Sequence, residues 1–209
     1  MSHTERHRRL RLLLNRLNKQ RKQQAGKIDI LCNDLISAQR GFIQRLYTIS
    51  FAAEFYKSLL GSPDVNHLLA RADRAIRQEL PGTGVAFYLR QSEGCERHSF
   101  VGDEMFACEQ AGPQECLTPE LVEGICKSNK ICTLAELAGI DPAGDWNGLR
   151  KFSIVTLPLS DLGRSLGFLL LWRPSPLTVG AEEIARVEPV MCGLSQAIRG
   201  ARVPQPSAD

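Results

Sequence analysis

Residues 152–172 read FSIVTLPLSDLGRSLGFLLLW, and this stretch decides the fold. Its arms, Phe152 to Leu159 and Ser165 to Trp172, suit a pleated surface, and Ser160-Asp161-Leu162-Gly163 between them is a turn sequence. The expectation is an antiparallel hairpin. Neither arm alternates apolar with polar, and Leu166 to Trp172 carries no polar side chain until the indole N–H. Such strands lie in a sheet covered on both faces. The same run is the longest apolar one in the chain, and it falls far short of the roughly 18 residues a membrane-spanning helix needs.

Working outward, the covering layers follow. After the hairpin, residues 180–200 carry Ile184, Val187, Met191, Leu194 and Ile198 on one helical stripe, with Pro189 expected to bend or divide the helix. Before it, 139–148 is a loop, Lys130 to Thr133 a short strand and 119–128 a helix. Further back, Val85 to Leu89 reads as a strand, with Arg97 to Val101 as its hairpin partner. Ser62 and Pro63 read as N-cap and first residue of a helix carrying Val65, Leu68, Leu69, Ala72, Ile76 and Leu80, ended by Pro81-Gly82. The first and last of these helices can cover one face of the sheet, and segment 102–148 the other.

Residues 4–60 have a different pattern. They lack proline and contain only Gly26 and Gly41 as glycines. Apolar residues recur in alternating steps of four and three: Leu10, Leu14 and Leu17, then Ile28, Leu31, Leu35, Ala38 and Phe42, then Ile49, Ala52, Tyr56 and Leu59. A sustained 3.5-residue repeat predicts a left-handed coiled coil. At about 1.5 Å per residue the rod would be roughly 85 Å long, more than one small domain can cover. The expected partner is a second copy, in a parallel homodimer whose seam includes Ile28, Leu31, Leu35, Phe42, Ile49 and Tyr56. Arg21, Gln24 and Arg45 fall on seam positions, and with Gly26 the coil is expected to be weak near 21–26, where the basic arm meets the better heptads.

The fold class is therefore α+β: a long N-terminal coiled-coil helix over 1–60, an antiparallel sheet flanked by helices over 62–200, and a proline-containing tail, 201–209, expected to be disordered. The 209 residues are 43% hydrophobic and 23% charged, enough for one good core. The seven cysteines are odd in number and irregular in spacing, unlike a disulfide framework, which points to a reducing cytoplasm. Asn15, Arg16 and Asn18 break up the N-terminal leucines, so no signal peptide is read. Residues 1–27 hold nine Lys or Arg against Glu5 alone, a local charge of +8, leaving −5 on the rest of a chain whose total is +3. Three uses fit this basic arm: a solvated coil end, a phosphate contact on nucleic acid, or a membrane-surface helix using Leu10, Leu13, Leu14 and Leu17.

From Pro119 to Leu171 the chain resembles the GAF family, and the likeness extends over about 62–200. Leu121-Val122-Glu123-Gly124-Ile125-Cys126 followed by Asn129 to Leu137 is similar to the family's helix, short strand and acidic turn. Ser153 to Leu159 and Leu166 to Leu171 are similar to its closing strand pair, with Pro158-Leu159 and Gly167 the most typical elements. The resemblance implies a six-stranded antiparallel sheet and a ligand pocket between the sheet and 102–148. It also implies dimers that signal through flanking helices. Residues expected at that pocket are Phe87, Phe106, Ile125, Trp146, Phe152 and Ile154. Because the family's members bind different ligands or none, the cofactor stays unknown.

Specific chemistry is not written in the sequence. Cyclic-nucleotide members carry Asn-Lys, then a Phe followed by Asp-Glu. Asn129-Lys130 and Phe152 are present, but Ser153 to Leu157 holds no acidic pair. Cys116 and Cys126 are similar to the thiols of GAF-type sulfoxide reductases, yet Ile125-Cys126-Lys127-Ser128 lacks the glycine that should follow. Cys95-Glu96-Arg97-His98 is half a zinc spacing, and on a strand positions 95 and 98 face opposite ways, so no metal site is read. The reading is a non-catalytic dimeric regulator that senses a small molecule or redox state and acts through an effector protein not identified by the sequence. A scaffolding protein with a filled pocket, or a thiol reductase, stands as the alternative.

Overall fold

The computed structural model describes residues 3–92, 94–100, 112–142, 144 and 146–202. The chain divides into two units, 1–49 and 50–209. In the first, helix α1 (His3–Leu59) begins, and no described side chain before Ser50 is buried. The seam residues Ile28, Leu31, Leu35, Phe42 and Ile49 are all exposed.

The second unit takes in the last turns of α1, which the sequence reading assigned to the coil. Phe55 and Leu59 are buried, and Phe51 and Ala52 pack against the same core. Tyr56, the last predicted seam residue, is 38% exposed and also touches the domain. Its ring lies on Gly193, where any Cβ would meet it at 2.2 Å, and its hydroxyl donates to the Pro189 carbonyl at 3.3 Å.

Helix α2 (Val65–Glu79) starts two residues later than expected. Asp64, not Ser62, is the N-cap, accepting from His67 N at 2.8 Å. Ser62 instead donates to Leu59 O at 2.9 Å, satisfying a carbonyl at the end of α1. Strands β1 (Gly84–Gln91) and β2 (Gly94–His98) follow, then a 3-10 turn at Pro113–Cys116 and α3 (Pro119–Ser128). Next come β3 (Cys132–Thr133), α4 (Leu134–Ile140), α5 (Trp146–Leu149), β4 (Phe152–Asp161), β5 (Arg164–Pro174) and α6 (Ala181–Arg202). The helix α6 is continuous through Pro189, and it runs past the predicted start of the tail; residues 203–209 lie outside the described residues.

All pairings are antiparallel, in the order β2-β1-β5-β4-β3. Five strands are present among the described residues, against six implied by the resemblance. The β4–β5 hairpin closes through Leu162 and Gly163, both at positive φ (47° and 80°), between the paired Asp161 and Arg164. Two successive left-handed residues match the right-handed twist of the strands. Strand β2 begins at Gly94, which pairs with Gln91, so it lies earlier than the expected 97–101.

Strand alternation sorts the core into two layers. Val85, Phe87 and Leu89 face α2, α6 and the end of α1, together with Leu157, Leu169 and Leu171. Ala86 and Tyr88 face α3, α4 and α5, with Ile154, Phe168 and Leu170. Gly167 is fixed by close approach. At φ +142° a Cβ there would sit 1.8 Å from the Tyr88 carbonyl oxygen. Arg173 ties the layers at one end. It holds Glu183 through two bonds of 2.7 and 2.9 Å and donates from Nε to Thr83 Oγ1 at 2.8 Å. Glu183 also accepts from Gly180 N at the start of α6. The Arg173 guanidinium holds the Glu183 carboxyl below its ordinary value.

Candidate functional site

The face turned to α3, α4 and α5 is where the resemblance implied a ligand pocket. Ile125 and Ile154 are both buried there, in one cluster with Leu121, Leu137 and Leu170. Trp146 and Phe152 pack half-buried against that cluster. The Trp146 indole N–H donates to Asp141 O at 3.1 Å, and Asp141 Oδ2 accepts from Thr118 at 2.9 Å, so loop and helix α3 are pinned together. Phe87 does not belong to this set. It is fully buried on the opposite face, because strand alternation sends it toward α2 and α6. Phe106 lies outside the described residues.

A more polar arrangement lies at the β1–β2 end of the same face. Antiparallel partners share a face, so the pairs Tyr88↔Arg97 and Arg90↔Cys95 put four side chains on the α3 side. Tyr88 stacks on Phe168 with ring centroids 4.7 Å apart and an 8° tilt. Its hydroxyl is buried and makes no hydrogen bond of regular geometry among the described residues, with Arg97 its polar neighbour, and the Ser165 hydroxyl beside Cys126 is likewise buried. Burial raises the Tyr88 phenol above its ordinary value, with Arg97 pulling the other way. From α3, Cys126 brings its sulfur to 3.5 Å from that of Cys95. Burial, and then the Cys95 thiol beside it, push the Cys126 thiol up to about 12, while Arg90 and Ser165 oppose the rise.

Sequence reasoning paired Cys126 with Cys116 and missed Cys95. Cys116 is half-buried at the margin of the apolar cluster. The missing information was the register of the β1–β2 hairpin. Only a strand that starts at Gly94 puts Cys95 opposite Arg90 and onto the α3 face. Asn129, the first half of the incomplete nucleotide motif, caps α3 in a left-handed conformation at φ 48°. Among the described residues no three His, Cys, Asp or Glu come together in a way that could hold a metal ion, and no helix is long and apolar enough to cross a membrane. On the opposite face an open groove of about 500 Å³ is lined by Val65, Asn66, Leu89, Glu96, His98 and Arg202.

No protein-family profile matches the chain, and no curated protein is significantly similar. Solved structures do match. The GAF domain of a phosphoenolpyruvate-protein phosphotransferase from Coxiella burnetii superposes with a TM-score of 0.52 at 15% identity, covering 75% of this chain and 95% of that one. The corresponding Acinetobacter domain gives 0.51 at 12% identity, covering 74% and 94%. A segment of a methyl-accepting chemotaxis protein, residues 122 to 287, gives 0.51 at 13% identity, covering 73% and 97%. The chain thus has a GAF-like fold, as the hairpin and helix sequences predicted.

Proposed function

We propose that a chain with this GAF-like fold is a non-catalytic, dimeric signalling protein of the reducing cytoplasm. Its GAF-like domain senses a small molecule or a redox state, and a parallel coiled coil formed by α1 carries the response to an effector protein. The observation that carries the reading is the double character of α1. Its seam positions Ile28, Leu31, Leu35, Phe42 and Ile49 are 58–68% exposed, while Phe55 and Leu59 of the same helix are sealed in the domain's core. A stripe with a 3.5-residue repeat buries itself best against an identical stripe. Sharing of the fold with domains of a chemotaxis protein and of phosphotransferases supports the sensing half.

The test is mass and register. Light scattering should give twice the 23.2 kDa chain mass. A Leu31→Cys variant, with Cys32 and Cys192 changed to Ser, should crosslink to its own copy under mild oxidation, since equivalent seam positions face each other only in a parallel, in-register pair. A monomer at high micromolar concentration sinks the proposal.

The tight burial of Ile125, Ile154 and Leu170 favours a second reading, a scaffolding protein whose domain binds no ligand. Thermal-shift screening over a metabolite panel separates the two, because only a sensor gains stability from a compound. The basic arm is proposed as the output contact, to nucleic acid or a membrane surface. Steep loss of binding to DNA with added salt, or binding to anionic vesicles, identifies which.

A further inference from the structure

We propose that Cys95 and Cys126 form a reversible redox couple, closed into a disulfide by low-molecular-weight disulfides such as oxidised glutathione. The inference deepens the sensing reading above by naming the group that responds.

The geometry comes from three elements. Cys95 sits half-buried on edge strand β2, and Cys126 is buried on the last turn of α3, with their sulfurs in van der Waals contact at 3.5 Å. A disulfide needs about 2.05 Å, so a closure of roughly 1.5 Å is required, within reach of a side-chain rotation. None of the described cysteines is already in a disulfide. Access divides the roles. Cys95 is only partly buried, at the margin of the cluster on the sheet's edge, whereas Cys126 is shielded from solvent and held protonated by burial. Arg90, which pairs with Cys95 across the hairpin, lies close enough to favour the Cys126 thiolate when it forms.

The steps balance as follows. The Cys95 thiolate attacks one sulfur of the external disulfide RSSR. That S–S bond breaks, a Cys95–SR mixed disulfide forms, and RS⁻ leaves and takes up a proton. Cys126 then gives its proton to solvent and attacks the Cys95 sulfur, expelling the second RS⁻. Two protein thiols are oxidised and one external disulfide is reduced to two thiols. Because burial disfavours the Cys126 thiolate, the second step speeds up as pH rises. The product ties the sheet's edge to α3 through covalent bonds.

The experiment incubates the full-length protein with excess oxidised glutathione and follows intact mass and fragmented peptides. The expected product contains a Cys95–Cys126 linked peptide pair two hydrogens lighter than the two free peptides, whatever glutathione adds at the exposed Cys32 and Cys192, and the bond reverts with dithiothreitol. Cys126→Ser should stop at one glutathionyl group on Cys95, and Cys95→Ser should react at neither site. If wild type keeps the glutathionyl adduct at pH 9, or the new bond joins other cysteines, the couple is overturned. Light scattering of both forms keeps the two ideas apart: a Cys95–Cys126 bond in a monomeric protein upholds the couple and defeats the dimeric signalling reading, while a dimer without that bond does the reverse.

Discussion

Replacing Leu31 and Leu35 by Asp tests the coil directly. The two leucines are 66% and 68% exposed, so neither supports the chain's own core. In a parallel pair both copies would bury both positions, giving four leucine side chains withdrawn from water. At about 2 kcal/mol each, they contribute roughly 8 kcal/mol to association, nearly six decades in Kd at 1.4 kcal/mol per decade. Carboxylates placed face to face on the seam add repulsion. The double variant should therefore be monomeric in sedimentation equilibrium at concentrations where the wild type is wholly dimeric. Thermal unfolding of unit 50–209 should be unchanged, since its core draws on α1 only from Phe51 onward. A double variant with the wild-type mass would refute the seam assignment. A wild type that is itself monomeric would refute the coil.

Gly167→Ala should cost about 4 kcal/mol, because its Cβ meets backbone rather than a movable side chain, whereas Gly163→Ala, in open space at φ +80°, should cost only about 1–2 kcal/mol. Chemical denaturation ranks them, and equal losses would contradict the close β1–β5 approach at Tyr88. Arg173→Met should destabilise by about 3 kcal/mol at pH 7, as it leaves Glu183 half-buried without its partner. Glu183's lowered pKa means that its pairing stabilises above the ordinary carboxylate range and is lost as pH falls through the lowered value. The gap between wild type and variant should therefore narrow in acid, and a gap independent of pH would show that the loss is packing. Tyr88→Phe removes a buried hydroxyl that makes no hydrogen bond of regular geometry among the described residues, so stability should hold or rise by up to about 1 kcal/mol. A larger loss would reveal a partner for that oxygen.

Residues 152–172 disclosed the fold because hairpin formation is local: an apolar run, a turn that tolerates positive φ and a second apolar run lie within one stretch. The helix stripes of α2 and α6 were equally readable, each being a periodic pattern within a single element. What failed depended on register. Phe87 and Tyr88 are both large and apolar in a run that is buried on both sides, so nothing in Val85 to Leu89 says which of them faces α3. Placing β2 too late hid the Cys95–Arg90 pairing and with it the contact to Cys126. The contact between the Tyr56 ring and Gly193, far away in sequence, is one that no spacing rule could foresee.

The burial of Phe55 and Leu59 has a practical bearing on dissecting the molecule. Gly61-Ser62-Pro63 looks like the natural place to cut, but an excised fragment starting there would leave unfilled the space those two side chains occupy between α2 and α6. A recombinant GAF-like unit should begin no later than Ser50, and a shorter fragment that aggregates would reveal a missing plug, not an unstable domain.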